Sequence, residues 1–276
     1  MIVEVVGAPL WAAANPSYLH YNLPRSNSTY THFLSALVAR YGPRGTFWRA
    51  HPAIRKLPIR SWQIWNEPNL GEYWPKQPFA RSYVAMLKAA RTTIRRLDPG
   101  ARIVLAGMPN FVWTALSSIY KIPGARRLFD VVAVHPFTAR PSGVLVMLQR
   151  VRAVMNRYGD ARKPMIITEL SWPSALGESK FQYSFDTTEQ GQARNIAAVL
   201  PMLAAHRAQL RLIGFYYYTW VGSEQSGVPF TFAGLFRYTD DQFVIKPAYQ
   251  AFVHAALAME CAGQGLTARR TTRLPA

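Results

Sequence analysis

Two carboxylates in matching settings stand out in this 276-residue chain. Trp65-Asn66-Glu67-Pro68-Asn69 closes an apolar run over 59–65 by setting a carboxylate beside an amide. Far along the chain, Met165-Ile166-Ile167-Thr168-Glu169-Leu170-Ser171-Trp172 repeats the design: an apolar strand, a lone Glu at its end and a Trp close behind. In a parallel β/α sheet or barrel all strand C-termini open on one face, so carboxylates distant in sequence can converge there. A converging pair of Asp or Glu residues is what cleavage of a glycosidic bond requires. A single strand-end Glu would serve equally well as the partner of an arginine. Two of them, each beside aromatics and each ending an apolar strand, favour the chemical reading.

The elements that must carry these residues follow from the hydrophobic pattern. Short Val- and Ile-rich runs alternate with stretches of helical period, the signature of parallel β/α units buried on both faces. The pattern predicts six strands, over 2–6, 59–65, 102–106, 131–135, 165–169 and 212–218. Helices are expected over 28–41, ending at Gly42, over 79–97, ending before Asp98-Pro99-Gly100, and over 143–158, ending at Gly159. Asp186 with Glu189 resembles a capping box for a helix reaching His206, and Lys246-Pro247 opens a last helix through Leu257. One domain is expected over 1–260, with a disordered tail over 261–276. The long irregular segments fall after strands, over 8–27, 171–185 and 221–243, and are rich in Trp, Tyr and Phe. In a β/α barrel, loops after strands build the active face.

Composition narrows the partners. The formal charge of +18 raises the question of a polyanion, but the arginines are scattered along helix faces and loops, so nucleic acid is not expected. The single Cys261 excludes an internal disulfide framework. No apolar run approaches the roughly 20 residues of a membrane helix, and the start Met1-Ile2-Val3-Glu4 lacks the layout of a signal peptide. The compartment is left open, since a secretion signal would have to lie upstream. No His-Glu-x-x-His, paired Cys, Gly-rich phosphate loop after a strand or G-x-S-x-G elbow is present, so metal, nucleotide and Ser-triad chemistries drop out and no cofactor is implied.

On the residues of its two Glu segments, the chain resembles retaining glycosidases of the large (β/α)8-barrel clan, in particular family 39 β-xylosidase and α-L-iduronidase-like bacterial hydrolases. Asn66-Glu67-Pro68 matches the clan's strand-four motif and Thr168-Glu169 its strand-seven motif. Ala8-Pro9-Leu10-Trp11 is similar to the third-strand loop, Val134-His135-Pro136 to the sixth-strand end, Trp220 to the eighth-strand end and Lys246-Pro247-Ala248-Tyr249 to the closing helix. The resemblance implies an oligosaccharide or glycoside substrate and double displacement, with Glu67 as acid/base and Glu169 as nucleophile. It also implies that Asn66 donates to the sugar 2-hydroxyl.

The acid should have a raised pKa, set by apolar surroundings and by the like charge of Glu169. His135 is a candidate hydrogen-bonding group in the site. Trp220, Trp172, Trp11 and Tyr218 are candidate stacking surfaces, with a buried core position as the competing reading for each Trp. Tyr216, Tyr218 and Trp220 share one parity on an extended strand and should face the barrel interior or its mouth.

Two departures from the clan pattern matter. The likeness starts at the third strand, so about six β/α units of a TIM (β/α)8-type barrel are present and the first two are missing. Six strands leave an open parallel edge. Phe137 also stands where many clan members carry a Tyr that contacts the nucleophile, a role left for Tyr217 or Tyr218. The rival expectation is a non-catalytic carbohydrate-binding barrel that has lost activity with its missing quarter.

Overall fold

The computed structural model describes residues 1–15, 21–225 and 227–271, with side chains as far as residue 259. It divides into two compact units, Met1–His135 with Arg150–Ile167, and Pro136–Gln149 with Thr168–Ala276. The boundaries fall at 135/136, 149/150 and 167/168.

The first unit holds five parallel strands in chain order: β1 (Val3–Val5), β2 (Ser61–Ile64), β3 (Arg102–Leu105), β4 (Val131–Val134) and β5 (Met165–Ile167). Helical crossovers make them parallel. These are α1 (Asn27–Tyr41) with the short α2 (Thr46–Ala50), α3 (Ala80–Leu97), α4 (Val112–Tyr120), and α5 (Pro141–Arg157) between β4 and β5. Every residue of β4 is buried, as a strand covered on both faces requires. The register Glu4↔Gln63↔Val104↔Val131 places these four side chains on one face. On it Val104, Val131, Ala133 and Ile166 form an apolar cluster, while the β1–β2 side carries the polar pair Glu4 and Gln63. Among the described residues β1 has β2 as its one strand neighbour.

The strands stop one to three residues short of the expected ends, because the residues that follow leave the extended conformation. Helix α4 was not expected. Its buried Val112, Leu116, Ile119 and Tyr120 have helical spacing, but no Ser, Thr, Asp or Asn side chain caps it, so the usual start signal is missing.

The second unit contains β6 (Leu212–Phe215), α6 (Glu189–Leu210), α7 (Pro247–Thr271) packed along α6, and a small sheet of β7 (Val221–Gly222), β8 (Phe236–Thr239) and β9 (Gln242–Ile245). That sheet corrects the reading of 221–243 as irregular. Strands β8 and β9 form an antiparallel hairpin whose two turn residues, Asp240 and Asp241, take φ 48° and 57°, the left-handed pair that a two-residue turn demands.

The start of α6 also differs from expectation. Thr188 is the cap, its hydroxyl accepting from Gly191 N–H at 3.1 Å, because the Asp186 carboxylate is occupied by Tyr183 N–H at 2.7 Å. Helix α7 continues past Leu257 into the segment expected as a tail. Its Ala-rich sequence sustains a helix despite Gly263 and Gly265, and Pro275 lies beyond it. The last five residues of that expected tail, 272–276, lie outside the described residues. No helix among the described residues is long and apolar enough to cross a membrane.

Candidate active site

The segment after β2 departs from normal backbone geometry. Trp65 takes φ 72° and Glu67 φ 41°, left-handed conformations that cost non-glycine residues on the order of 1–3 kcal/mol each and persist only where the surroundings over-determine them. Here they do. Trp65 is fully buried, its indole N–H donates to Tyr73 O at 2.9 Å, and its ring meets Trp74 edge-on. The Glu67 N–H donates to Gly107 O and the Glu67 carbonyl accepts from Leu70 N–H, both at 2.9 Å.

This turn places the Glu67 carboxyl in the interior, 6% exposed, with Oε1 2.7 Å from His135 Nδ1. Burial first, and the like charge of Glu72 second, push the carboxyl up to about 8. At neutral pH Glu67 is therefore a carboxylic acid, and the direction of its bond to Nδ1 follows the imidazole tautomer. His135 is fully buried at the end of β4, its own N–H held by Met108 O at 3.1 Å. Gly107 makes room for the ring, since a Cβ there would collide with Nε2. The short run after β3 thus positions both partners.

Beneath this pair, Gln63 donates its amide to Glu4 Oε2. Glu4 is pushed up to about 7 by burial and then by the Glu67 charge, against the opposing Gln63 hydrogen bond. Asn66 is 5% exposed and its Oδ1 is buried with no hydrogen-bond partner among the described residues, which leaves an acceptor open to a donor from a ligand. Gly107, Glu4, Gln63 and Glu72 were not singled out from the sequence. An isolated Gly at a strand end was the available signal for Gly107; a Glu inside a three-residue strand was the signal for Glu4.

In the second unit Glu169 lies half-buried, two residues beyond the last residue of β5. Trp172 is fully buried, and its indole N–H donates to Thr138 O at 2.7 Å. It has no face to offer a sugar and takes the core position, which corrects its choice as a candidate stacking surface in favour of the competing reading. The parity argument for Tyr216, Tyr218 and Trp220 also fails, because β6 ends at Phe215 and all three lie past it. They are nonetheless exposed, Trp220 at 58%, with its ring tilted on Phe236 and edge-on to Tyr249. Tyr218 stands edge-on to Phe230, which also contacts Phe137, Tyr183 and Phe185, so four chain segments contribute to one aromatic group. Tyr217 is committed elsewhere, accepting from Gln192 and donating to Ala233 O. In the first unit Trp11 is 79% exposed on a 3-10 turn, Leu10–Ala12.

No protein-family model and no curated protein matches the chain by sequence. Solved structures do. A monomeric β-xylosidase from Caulobacter crescentus CB15 matches with TM-score 0.61 at 17% identity, over 91% of this chain and 51% of its own. A family 39 glycoside hydrolase from the gut symbiont Bacteroides cellulosilyticus WH2 matches with TM-score 0.62 at 18% identity, over 88% and 47%. The GH53 catalytic domain of Ignisphaera aggregans matches with TM-score 0.57 at 18% identity, over 91% and 72%. The fold is that of a glycosidase-type (β/α) barrel. Six of its strands are present, in the expected places, and the chain spans about half the length of the β-xylosidase and family 39 enzymes it resembles.

Proposed function

We propose that the chain is a glycoside hydrolase that cleaves O-glycosidic bonds with retention, Glu67 serving as acid/base and Glu169 as nucleophile. One observation carries this reading: the Glu67 carboxyl is buried, 6% exposed, with Oε1 2.7 Å from His135 Nδ1, and burial pushes its pKa up to about 8. A general acid must be protonated at working pH and must surrender its proton to a leaving oxygen, and burial beside an imidazole provides both. The glycosidases among its structural relatives support the same class.

In the first step Glu169 attacks the anomeric carbon while Glu67 protonates the departing oxygen. In the second, the Glu67 carboxylate takes a proton from water as that water displaces Glu169 from the sugar. His135 Nδ1–H donates to Oε1 throughout, so the acid proton sits on Oε2, where it passes to the leaving oxygen and is later regained from water. Asn66 Oδ1 accepts from a sugar hydroxyl, and the exposed rings of Trp220 and Tyr218 pack on sugar C–H faces. Trp11 is a further exposed ring for the same purpose.

The test is turnover of a panel of aryl glycosides, followed by labelling with an activated 2-deoxy-2-fluoro glycoside. Retention predicts a covalent adduct on Glu169, and Glu169→Ala abolishes both turnover and adduct. Turnover that survives Glu169→Ala removes the assignment.

A second reading is carbohydrate binding without turnover. It is favoured by the exposed rings of Trp220, Tyr218 and Trp11, which suit a sugar face whether or not a bond is cleaved. Saturable sugar binding by a wild-type chain that turns over no glycoside would select it.

A further inference from the structure

We propose that the buried hydroxyls of Tyr30 and Tyr83 are a matched pair of hydrogen-bond wedges that set the left-handed turn at Trp65 and Glu67, and with it the aim of Glu67 at His135. This deepens the catalytic reading above and rests on it for its kinetic consequence, though not for its structural one.

The register pairs Ile64 with Leu105, so the next rung of a parallel ladder would run from Ala106 N–H to Ile64 O. The Tyr83 hydroxyl occupies that rung, donating to Ile64 O at 2.9 Å and accepting from Ala106 N–H at 2.8 Å. On the opposite side of β2, Val5 pairs with Ile64, and the corresponding rung runs from Trp65 N–H to Val5 O at 3.2 Å. There the Tyr30 hydroxyl donates to Val5 O at 2.7 Å and also accepts from the Trp65 amide. Tyr30 comes from α1 and Tyr83 from α3, the helices that enter and leave β2. A single strand end therefore has a phenol hydroxyl on each side, that of Tyr83 in place of a rung and that of Tyr30 bonded to the groups of a closed one, immediately before Trp65 and Glu67.

Burial raises both phenols above their ordinary range, so each remains an O–H donor. Their rings are held independently of the hydroxyls, Tyr30 against Trp65 at 6.0 Å and Tyr83 edge-on to Trp74 at 5.7 Å. A change to Phe thus deletes the wedge and leaves the packing. Without the Tyr83 hydroxyl, Ala106 N–H and Ile64 O must either close on each other, drawing β3 toward β2, or stay unpaired in the interior. Closure would carry Gly107 with it, the residue whose carbonyl holds Glu67 N–H and whose missing Cβ admits the His135 ring.

The variants are Tyr30→Phe, Tyr83→Phe and the double change, with Tyr120→Phe as control, since the Tyr120 hydroxyl donates to Asp160 away from this turn. Circular dichroism verifies the fold of each, and the single variants decide the matter where the double one does not fold. The first readout is the His135 Nδ1 resonance in 15N-histidine-labelled protein. It should move in Tyr30→Phe and Tyr83→Phe toward its position in Glu67→Gln, and stay in place in Tyr120→Phe. The second is kcat on aryl glycosides: a poor leaving group, which needs the acid, should lose about tenfold more than a dinitrophenolate, which does not. An unmoved Nδ1 resonance in both single variants, or an equal movement in Tyr120→Phe, overturns the proposal. A wild-type chain without turnover overturns the catalytic reading instead, and the nitrogen resonance still decides whether the wedges aim Glu67.

Discussion

The segments at 65–69 and 168–172 share a design in sequence and differ in structure. Each ends an apolar strand with a Glu beside a Trp, and each Trp turns out to be an internal anchor whose indole N–H is held by a carbonyl, Tyr73 O for Trp65 and Thr138 O for Trp172. The glutamates differ. Glu67 sits on a left-handed turn, 6% exposed, pushed up to about 8 by burial and then by Glu72, whereas Glu169 is half-buried. A shared pattern of strand, carboxylate and aromatic specifies position, while desolvation specifies which carboxyl keeps its proton.

The strongest way to break this comparison is to remove each carboxylate in turn. Glu169→Ala is expected to lower kcat by on the order of 10⁴-fold or more on every substrate, as loss of a nucleophile does. Glu67→Gln is expected to spare activated aryl glycosides relative to poor leaving groups by about 10²–10⁴-fold. Equal losses on both substrate types would erase the distinction between the two ends.

Next in size, Trp172→Ala should destabilise the protein by about 3–5 kcal/mol in urea unfolding, since it empties a core position and strands Thr138 O. A small effect would return Trp172 to the stacking role that the sequence left open beside a core position. Gly107→Ala should then cost about 10²-fold in kcat through displacement of the His135 ring, because the added Cβ and Nε2 cannot share the same space. Activity unaffected by this change would show that the Glu67–His135 contact is dispensable.

The pH dependence follows from sign alone. Folded Glu67 holds a proton up to about 8 that the unfolded chain releases near 4.5, so its contribution to stability is fully present below about 4.5 and is lost as pH rises toward 8. Glu4 adds the same trend up to about 7. Urea midpoints measured across this window should fall less steeply with pH in Glu67→Gln, and the catalytic rate should drop on the alkaline side as the acid ionises. The smallest effect is expected for Trp220→Ala, about 0.5 kcal/mol or less in stability for an exposed ring, with weaker sugar binding as its visible consequence.

The alternation of apolar runs with helical periods determined the fold: all six main strands, and a helix after each of them but the third, were legible because burial on both faces leaves continuous Val and Ile runs. Both glutamates were legible as well, as polar residues that end such runs. The hairpin at Asp240 and Asp241 escaped because its signal is a pair of positive φ values in residues other than glycine. The choice of Trp172 as core and Trp220 as surface escaped for a different reason, since a Trp looks the same in sequence in either place. Only the tertiary structure decided the proton on Glu67, the ring seat provided by Gly107 and the rungs occupied by Tyr30 and Tyr83. Each depends on groups brought together from separate strands and helices, and burial, the chief reason the acid keeps its proton, is a property of the packed molecule rather than of any segment.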